Sequence, residues 1–494
     1  MSNQTIKLTS IFIKEGYPYS KDNLIQLFKC ENALELIKEL KQYGIIRTSR
    51  IKNDINNVDF SESEQIITSV DDNDASIKYI FNYVGVIVIQ NTIIKIIPKY
   101  IKIDALKLNN LTIEEEIILT NKLKQIIKVL EKYNNSKTPI VNMYNNNLES
   151  GSVNLLAVML YLLNDYYEYG IYNNQIELVE TNGNSEILWD KTINETFAII
   201  KNNRPIYTDL FTKKKLYNEF DYFKRLHEYV LTQCSNYIKE TKLDNLFDNI
   251  LPVNLSEETQ LDFGDEDYIL YKITQELNTQ FNTRKQLVLK LMYSFISQNK
   301  VSVKDKCLNL YGTNSFNLVW EEVCRTILND KLNKSLRNCV ENLHSDYSEK
   351  SSNALKELIE KPKWNKFEAS ETLEPDIISI ENNCFTIYDA KYYDLKIDSS
   401  LSGQPGMESI TKQYLYQLAF KNFIDKNYLT PRNVFLFPTD DDKAKNAGFV
   451  RMSMFEELKL VDIAIIYLPC EAVFSYYLMG QNYLLIDNIL NNLQ

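Results

Sequence analysis

Histidine is almost missing from this chain of 494 residues: only His227 and His344 are present. That excludes a histidine-rich metal centre and most imidazole acid–base chemistry. Cysteine is sparse too. The seven cysteines are odd in number and none are spaced as CxxC, which argues against a disulfide framework or a zinc site and fits a reducing, cytoplasmic setting. Glycine (12) and proline (11) are scarce, so long disordered linkers are not expected. There is no GxxxxGK[ST] loop, and hence no nucleotide-phosphate cradle of that kind. No apolar run reaches the ~18 residues of a membrane span. The opening MSNQTIKLTS lacks the basic-then-apolar pattern of a signal peptide, and no membrane partner is expected.

Positive charge is also short. Lys and Arg number 55 against 66 Asp and Glu, a net charge of −11, which argues mildly against a chain that holds DNA unaided. Charge is local, however. Residues 281–340 carry ten Lys/Arg and four Asp/Glu, a basic stretch that leads into the segment richest in candidate chemistry and raises the nucleic-acid reading.

What is present reads as a multi-domain α+β chain. At roughly 150 residues per domain, about three are expected. Residues 1–135 read as a helical unit plus a β-hairpin. Asn32 and Glu35 make a capping-box start, Leu36, Ile37 and Leu40 follow at helical spacing, and Gly44 is the stop. LIKELKQYGIIR resembles a winged-helix second or third helix entering its wing. Two β-branched runs flank Gln90-Asn91 as a hairpin, and a helix over 111–133 opens with Thr112 and Glu115. Residues 136–312 read as mainly helical, with EILWDKTINETFAIIKNNRPIYTDLF crossing the surface between helices. Residues 313–494 alternate helix and strand, an α/β layout.

The chemistry gathers in this last segment. Phosphodiester hydrolysis needs an activated water and neutralisation of phosphate charge. Clustered carboxylates holding Mg²⁺ supply both, and a nearby lysine can position water or offset charge. Pro375-Asp376 opens one apolar strand and Asp389-Ala390-Lys391 ends the next. Alternation puts Asp389 and Lys391 on one face, with Phe385 and Ile387 on the same parity. A turn at Asn382-Asn383 would bring Asp376 beside Asp389. On the preceding helix, Glu321 flanks the apolar stripe while Glu322 points away. This makes Glu321, Asp376 and Asp389 the candidate metal ligands. On the following helix, Gln413 and Gln417 are four apart. Gln413 is read either as orienting water or touching the DNA backbone, or as a solvated face.

Pro375-Asp376 with Asp389-Ala390-Lys391 resembles the PD-(D/E)xK nuclease superfamily, and the helix glutamate before it and the Lys-Gln helix after it keep that order. Superfamily members with a helix glutamine often carry tyrosine four residues later, where this chain has Gln417. The phrases FNYVGVIVIQNTIIKIIPKYI, EILWDKTINE, RPIYTDLF, YGTNSFNLVWEEVC and LEPDII…IYDAKYY together resemble the LlaJI family of restriction endonuclease subunits, which is similar to McrC. The resemblance runs from about residue 77 to the C-terminus. It implies a restriction endonuclease-like core, Mg²⁺ (with Mn²⁺ as a substitute), double-stranded foreign DNA as substrate and a McrB-like AAA+ GTPase ring as partner. Residues 1–135, with the hairpin near residue 90 at their centre, are the expected docking surface. Two other readings remain open: a DNA-binding module and an NTPase-activating adaptor, each with a non-catalytic nuclease fold.

Overall fold

The β-branched runs around residue 90 form the expected hairpin in the computed structural model, which describes residues 9–28, 33–50, 77–89, 92–135, 154–217, 221–247, 251–299, 308–397 and 401–483. Strands Val84–Ile89 and Thr92–Ile97 pair antiparallel; Gln90-Asn91 lies outside the described residues. The hairpin does not stand alone. Thr9–Lys14 runs parallel beside Thr92–Ile97, and Leu308–Thr313 lies against Val84–Ile89. A Cβ on Gly85 would fall 2.2 Å from the Tyr311 carbonyl oxygen, and one on Gly312 2.1 Å from that of Val84. Only glycine lets these two strands meet. Helix Ile113–Asn135 packs on the hairpin, capped by reciprocal Thr112–Glu115 bonds of 2.8 and 3.3 Å.

Every residue of Val84–Ile89 is buried. The apolar runs are therefore satisfied within the fold. The expected helical unit is also more mixed than its sequence pattern. Helix Ala33–Gln42 buries Leu36, Ile37 and Leu40 and is followed by Gly44 at φ 68°. Strand Ile46–Arg50 comes next and pairs with Ile77–Phe81, which pairs in turn with Pro18–Tyr19. Asn32, half of the expected capping box, lies outside the described residues.

The chain divides into two compact units, Met1–Ser152 with Leu310–Gln494, and Val153–Asn309. The first and third expected segments thus share a unit, and specific bonds join them. Glu15 accepts from the Lys99 backbone N–H at 3.2 Å and from the Tyr392 hydroxyl, while the Lys99 ammonium lies 4.4 Å from the Tyr392 ring centroid. Burial holds the Glu15 carboxyl above its ordinary value, against the pull of Lys99. Lys102 pairs with Asp441 at 2.7 Å, and Lys122 pairs with Asp440.

In the C-terminal part of this unit, five strands run in the order Ile377–Glu381, Cys384–Ala390, Thr430–Thr439, Ile463–Pro469, Lys445–Val450. The three central strands are mutually parallel and both outer strands antiparallel to their neighbours. Helix Met407–Lys426 lies on the face carrying Phe385 and Ile387, its Tyr416, Phe420 and Phe423 packed against them. Helix Phe316–Ile327 also packs on the Cys384–Ala390 strand. The Ile377–Glu381 edge is closed by Asp330 and Lys331, which bond the Ile378 N–H and carbonyl at 3.0 and 2.7 Å.

The second unit adds strands to the helices expected for residues 136–312. Its helices Leu155–Tyr169, Tyr222–Glu240, Glu266–Thr279 and Thr283–Asn299 are there. The stretch read as an irregular crossing instead builds structure. Phe211–Tyr217 pairs with Gln175–Thr181 and Glu186–Ile187, and Ala198–Lys201 pairs with Arg204–Tyr207 as a hairpin. The hairpin turns at Asn202-Asn203, both at positive φ (54° and 59°). Asparagine tolerates that region, and two such residues in succession make the turn that suits strand twist. The basic stretch 281–340 is split between the units, and Arg284 is held internally by Asp165 at 2.7 Å.

His227, fully buried in this unit, accepts the Tyr172 backbone N–H on Nδ1 at 2.9 Å. Burial, with Arg284 adding repulsion, lowers its pKa to about 3. An unfolded histidine titrates near 6.5, so below that pH the unfolded chain takes up a proton that the folded chain refuses. The stability His227 confers is complete above pH 6.5 and drains away as pH falls towards 3. Between pH 7 and pH 5 the loss is about 2 kcal/mol. Asn in its place can still accept from Tyr172. Urea unfolding of His227→Asn is expected to show a pH 7-to-5 loss about 2 kcal/mol smaller than that of the parent chain; equal losses would show that His227 is protonated in the fold.

Candidate active site

Two asparagines set the site's geometry. Asn382 and Asn383 stand at φ 51° and 60°, making a two-residue turn that fixes how Ile377–Glu381 and Cys384–Ala390 pair. The ladder runs from Glu381 opposite Cys384 to Ile377 opposite Tyr388. One step further, Asp376 comes opposite Asp389. The pairing is confirmed by a bond from the Ala390 N–H to Asp376 Oδ2 at 3.0 Å. Lys391, on the same parity as Asp389, bonds its carboxylate at 2.9 Å.

These groups are held in poor solvent. Asp389 is buried and Asp376 half-buried. Burial, then the neighbouring Asp376 charge, lifts the Asp389 carboxyl well above the ordinary carboxylate range, and Lys391 only partly offsets the shift. Two carboxylates pressed together at the end of a sheet form a site that attracts a cation.

Glu321 stands close enough to Asp376 to be influenced by it. Burial, followed by Asp376, raises its carboxyl, against Arg325. It does not complete a cage, because Arg325 takes its carboxylate at 2.7 Å and also donates to the Asp376 carbonyl. Glu322 is drawn to the same guanidinium at 3.6 Å. Among the described residues no three His, Cys, Asp or Glu side chains converge as a ready-made metal site. Asp376, Asp389 and Lys391 are brought together; Glu321 lies beside them in an ion pair.

Gln413 is fully buried, so it presents neither a solvated face nor a DNA contact. Its Nε2 donates to the Ile387 carbonyl at 2.9 Å, and its Oε1 has no partner among the described residues. It ties helix Met407–Lys426 to the strand that ends in Asp389. Gln417, also buried, accepts from Asn433 Nδ2 at 2.8 Å and from the Val461 N–H at 3.1 Å. Its role is thus to pin the helix to the next strand and loop. Sequence reasoning missed Arg325, whose signal was its spacing: it lies four residues after Glu321 and three after Glu322.

Comparisons with known proteins bear on the whole chain. It is 29% identical over 427 residues to the type II restriction enzyme BsuMI component YdjA of Bacillus subtilis (strain 168), covering 83% of each chain. Among solved structures, a chain from the half-complex of Thermococcus gammatolerans McrB AAA+ hexamers with bound McrC matches over 98% of this chain and 100% of that one. It does so at 14% identity and a TM-score of 0.37, a likeness that carries no argument about fold or partners. The LlaJI restriction endonuclease model matches residues 83–471, more than half of the chain, and the protein belongs to that family.

Proposed function

We propose that this chain is the metal-dependent nuclease subunit of a GTP-powered restriction complex, hydrolysing phosphodiester bonds of double-stranded foreign DNA in the cytoplasm. The observation that carries the proposal is the opposed pair Asp376 and Asp389 with Lys391 bonded to one of them, in a member of a restriction endonuclease family. The arrangement fits a PD-(D/E)xK core. The donors also fit a hard cation. Mg²⁺ commonly takes one or two carboxylates and keeps several waters, so Asp376 and Asp389 suffice to hold it, with Glu321 adjacent. The chemistry a bound Mg²⁺ or Mn²⁺ supplies there is water activation and charge neutralisation at the phosphate. Asp376 and Asp389 set its place. The Lys391 ammonium orients the attacking water or offsets charge on the phosphate oxygens. Gln413 acts one layer below, holding the strand.

Alanine at Asp376, Asp389 or Lys391 is expected to lower DNA cleavage by about a hundred- to a thousandfold, the scale of losing one preorganised electrostatic group. Asp376→Asn keeps an acceptor for the Ala390 N–H and removes a like charge. In EDTA its thermal midpoint should equal or exceed that of the parent, while cleavage is lost. Undiminished cleavage by purified Asp389→Ala would sink the assignment and favour a non-catalytic adaptor. Mg²⁺ or Mn²⁺ should support turnover and Ca²⁺ should bind without it; activity persisting in excess EDTA contradicts the metal requirement.

The GTPase ring is proposed from the family resemblance and from the missing P-loop. Its docking surface is assigned to the second unit, where the hairpin Ala198–Lys201 with Arg204–Tyr207 is almost wholly exposed. Phe197 is 96% exposed and Ile200 73%, and exposed apolar groups in such a cluster mark an interaction face. Phe197→Ser/Ile200→Ser in the full chain should abolish stimulation of the partner's GTP hydrolysis, whereas Asp389→Ala should retain it. Stimulation by the double variant equal to the parent's places docking elsewhere.

A further inference from the structure

Just before the catalytic strands, eight consecutive residues, Lys361 to Glu368, are all exposed. They form a small hairpin in which Lys363–Trp364 pairs with Phe367–Glu368 and Trp364 stands directly opposite Phe367. Its tip turns at Asn365, at φ 56°, and its base is tied by the Ala369 N–H to the Pro362 carbonyl at 2.8 Å. Opposed residues share a face, so the two aromatic side chains project from the same side of the hairpin. Trp364 is 74% exposed and Phe367 79%. An aromatic pair of this size is normally buried, and strands of two residues give no stability that would need them there.

Charge indicates what covers them. Lys361, Lys363 and Lys366 lie on the same exposed segment as the rings, Lys363 opposite Glu368, and among the described residues none of the three has an ion-pair partner. Exposed rings interleaved with free cations are the pattern of a nucleic-acid contact: the cations meet phosphates and the rings pack on bases and deoxyribose. Position agrees. Asp376 follows Glu368 by eight residues, a reach of no more than about 28 Å at ~3.5 Å per residue. That is within the length of a duplex lying across the site. The cleft beside the hairpin, about 780 Å³, is lined by five glutamates, Glu368 among them, and by three lysines, Lys361 and Lys363 among them. Its surplus of acid repels phosphate, so the contact belongs to the hairpin's own lysines and its outward tip.

We infer that the Lys361–Glu368 hairpin is a DNA-contacting element of the nuclease, with Trp364 and Phe367 packing against the duplex and Lys363 and Lys366 on its phosphates. The inference rests on the nuclease reading above. It is tested on the full chain in an Asp389→Asn background, which prevents cutting, with a 30-base-pair duplex as the probe. Trp189→Phe leaves Trp364 as the exposed fluorophore beside the buried Trp320. Duplex should quench it saturably. Trp364→Ala/Phe367→Ala should weaken duplex binding at least tenfold, and Trp364→Tyr should restore most of it. Lys363→Ala/Lys366→Ala should reduce the slope of log affinity against log salt by about 2. Duplex bound with full affinity by Trp364→Ala/Phe367→Ala, or without quenching of Trp364, overturns the inference, leaving the hairpin to a protein partner and the nuclease reading untouched. If the intact chain, with its GTPase partner, GTP and Mg²⁺ present, neither binds nor cuts duplex, the nuclease reading falls and this inference falls with it.

Discussion

Asp376 and Asp389 repel one another, and the fold holds them together nonetheless. The means is register. A strand pairing displaced by one residue would turn Asp389 and Lys391 to the opposite face and Phe385 and Ile387 out of the core. Those two residues pack against Phe420 and its neighbours on helix Met407–Lys426, so slippage would forfeit the core of the sheet's first two strands. The Asn382-Asn383 turn and this apolar packing specify the same register. The energy that keeps two carboxylates adjacent is therefore supplied by buried side chains some residues away from them.

The helix over this face is less apolar than a core helix usually is. Gln413, Gln417 and Asn433 are all buried, and each makes at least one bond to backbone or to another of the three. A buried amide is unfavourable unless bonded, but when bonded it fixes position in a way that a leucine cannot. Gln413 grips the Ile387 carbonyl two residues before Asp389. Gln417 joins helix, strand and loop. Arg325 works similarly from the other helix, binding Glu321 and the Asp376 carbonyl together. The acids at the strand ends are thus fixed through their backbones from two helices.

The strands bearing Asp376 and Asp389 were legible because period-two apolar patterning and an Asn-Asn turn are local signals. Their adjacency followed from counting residues across that turn. The burial of Gln413 and Gln417 was not legible, since a pair four apart on a helix looks the same whether it faces water or a sheet; only the identity of the packed face decides. The second unit was misread for a related reason. Ala198–Lys201 and Arg204–Tyr207 are exposed on both faces, so they lack the in–out alternation that marks a half-buried strand, and Asn202-Asn203 was their sole clear signal. Conversely, the runs around residue 90 were identified as strands, but their sheet partners were not. Their neighbours, Thr9–Lys14 and Leu308–Thr313, come from sequence positions too distant for local pattern to reveal.

That distant pairing changes what the N-terminal segment is. A docking module appended to a nuclease would be separable from it, and residues 1–135 are not. Glu15 reaches the Tyr392 hydroxyl, one residue beyond Lys391, and Lys99 lies over the same ring. Lys102 and Lys122 hold Asp441 and Asp440, just past the Thr430–Thr439 strand that pairs with Asp389's own. Helix Ile113–Asn135 bonds helix Cys470–Met479 through Gln125 to the Glu471 carbonyl and Ser475 at 2.8 and 2.9 Å. Removing the segment would leave Tyr392 without its buried acceptor and helix Cys470–Met479 without a cover. The N-terminal sheet therefore braces the strand ends that carry Asp389 and Lys391, and a force transmitted through this sheet would reach the site through Glu15 and Tyr392.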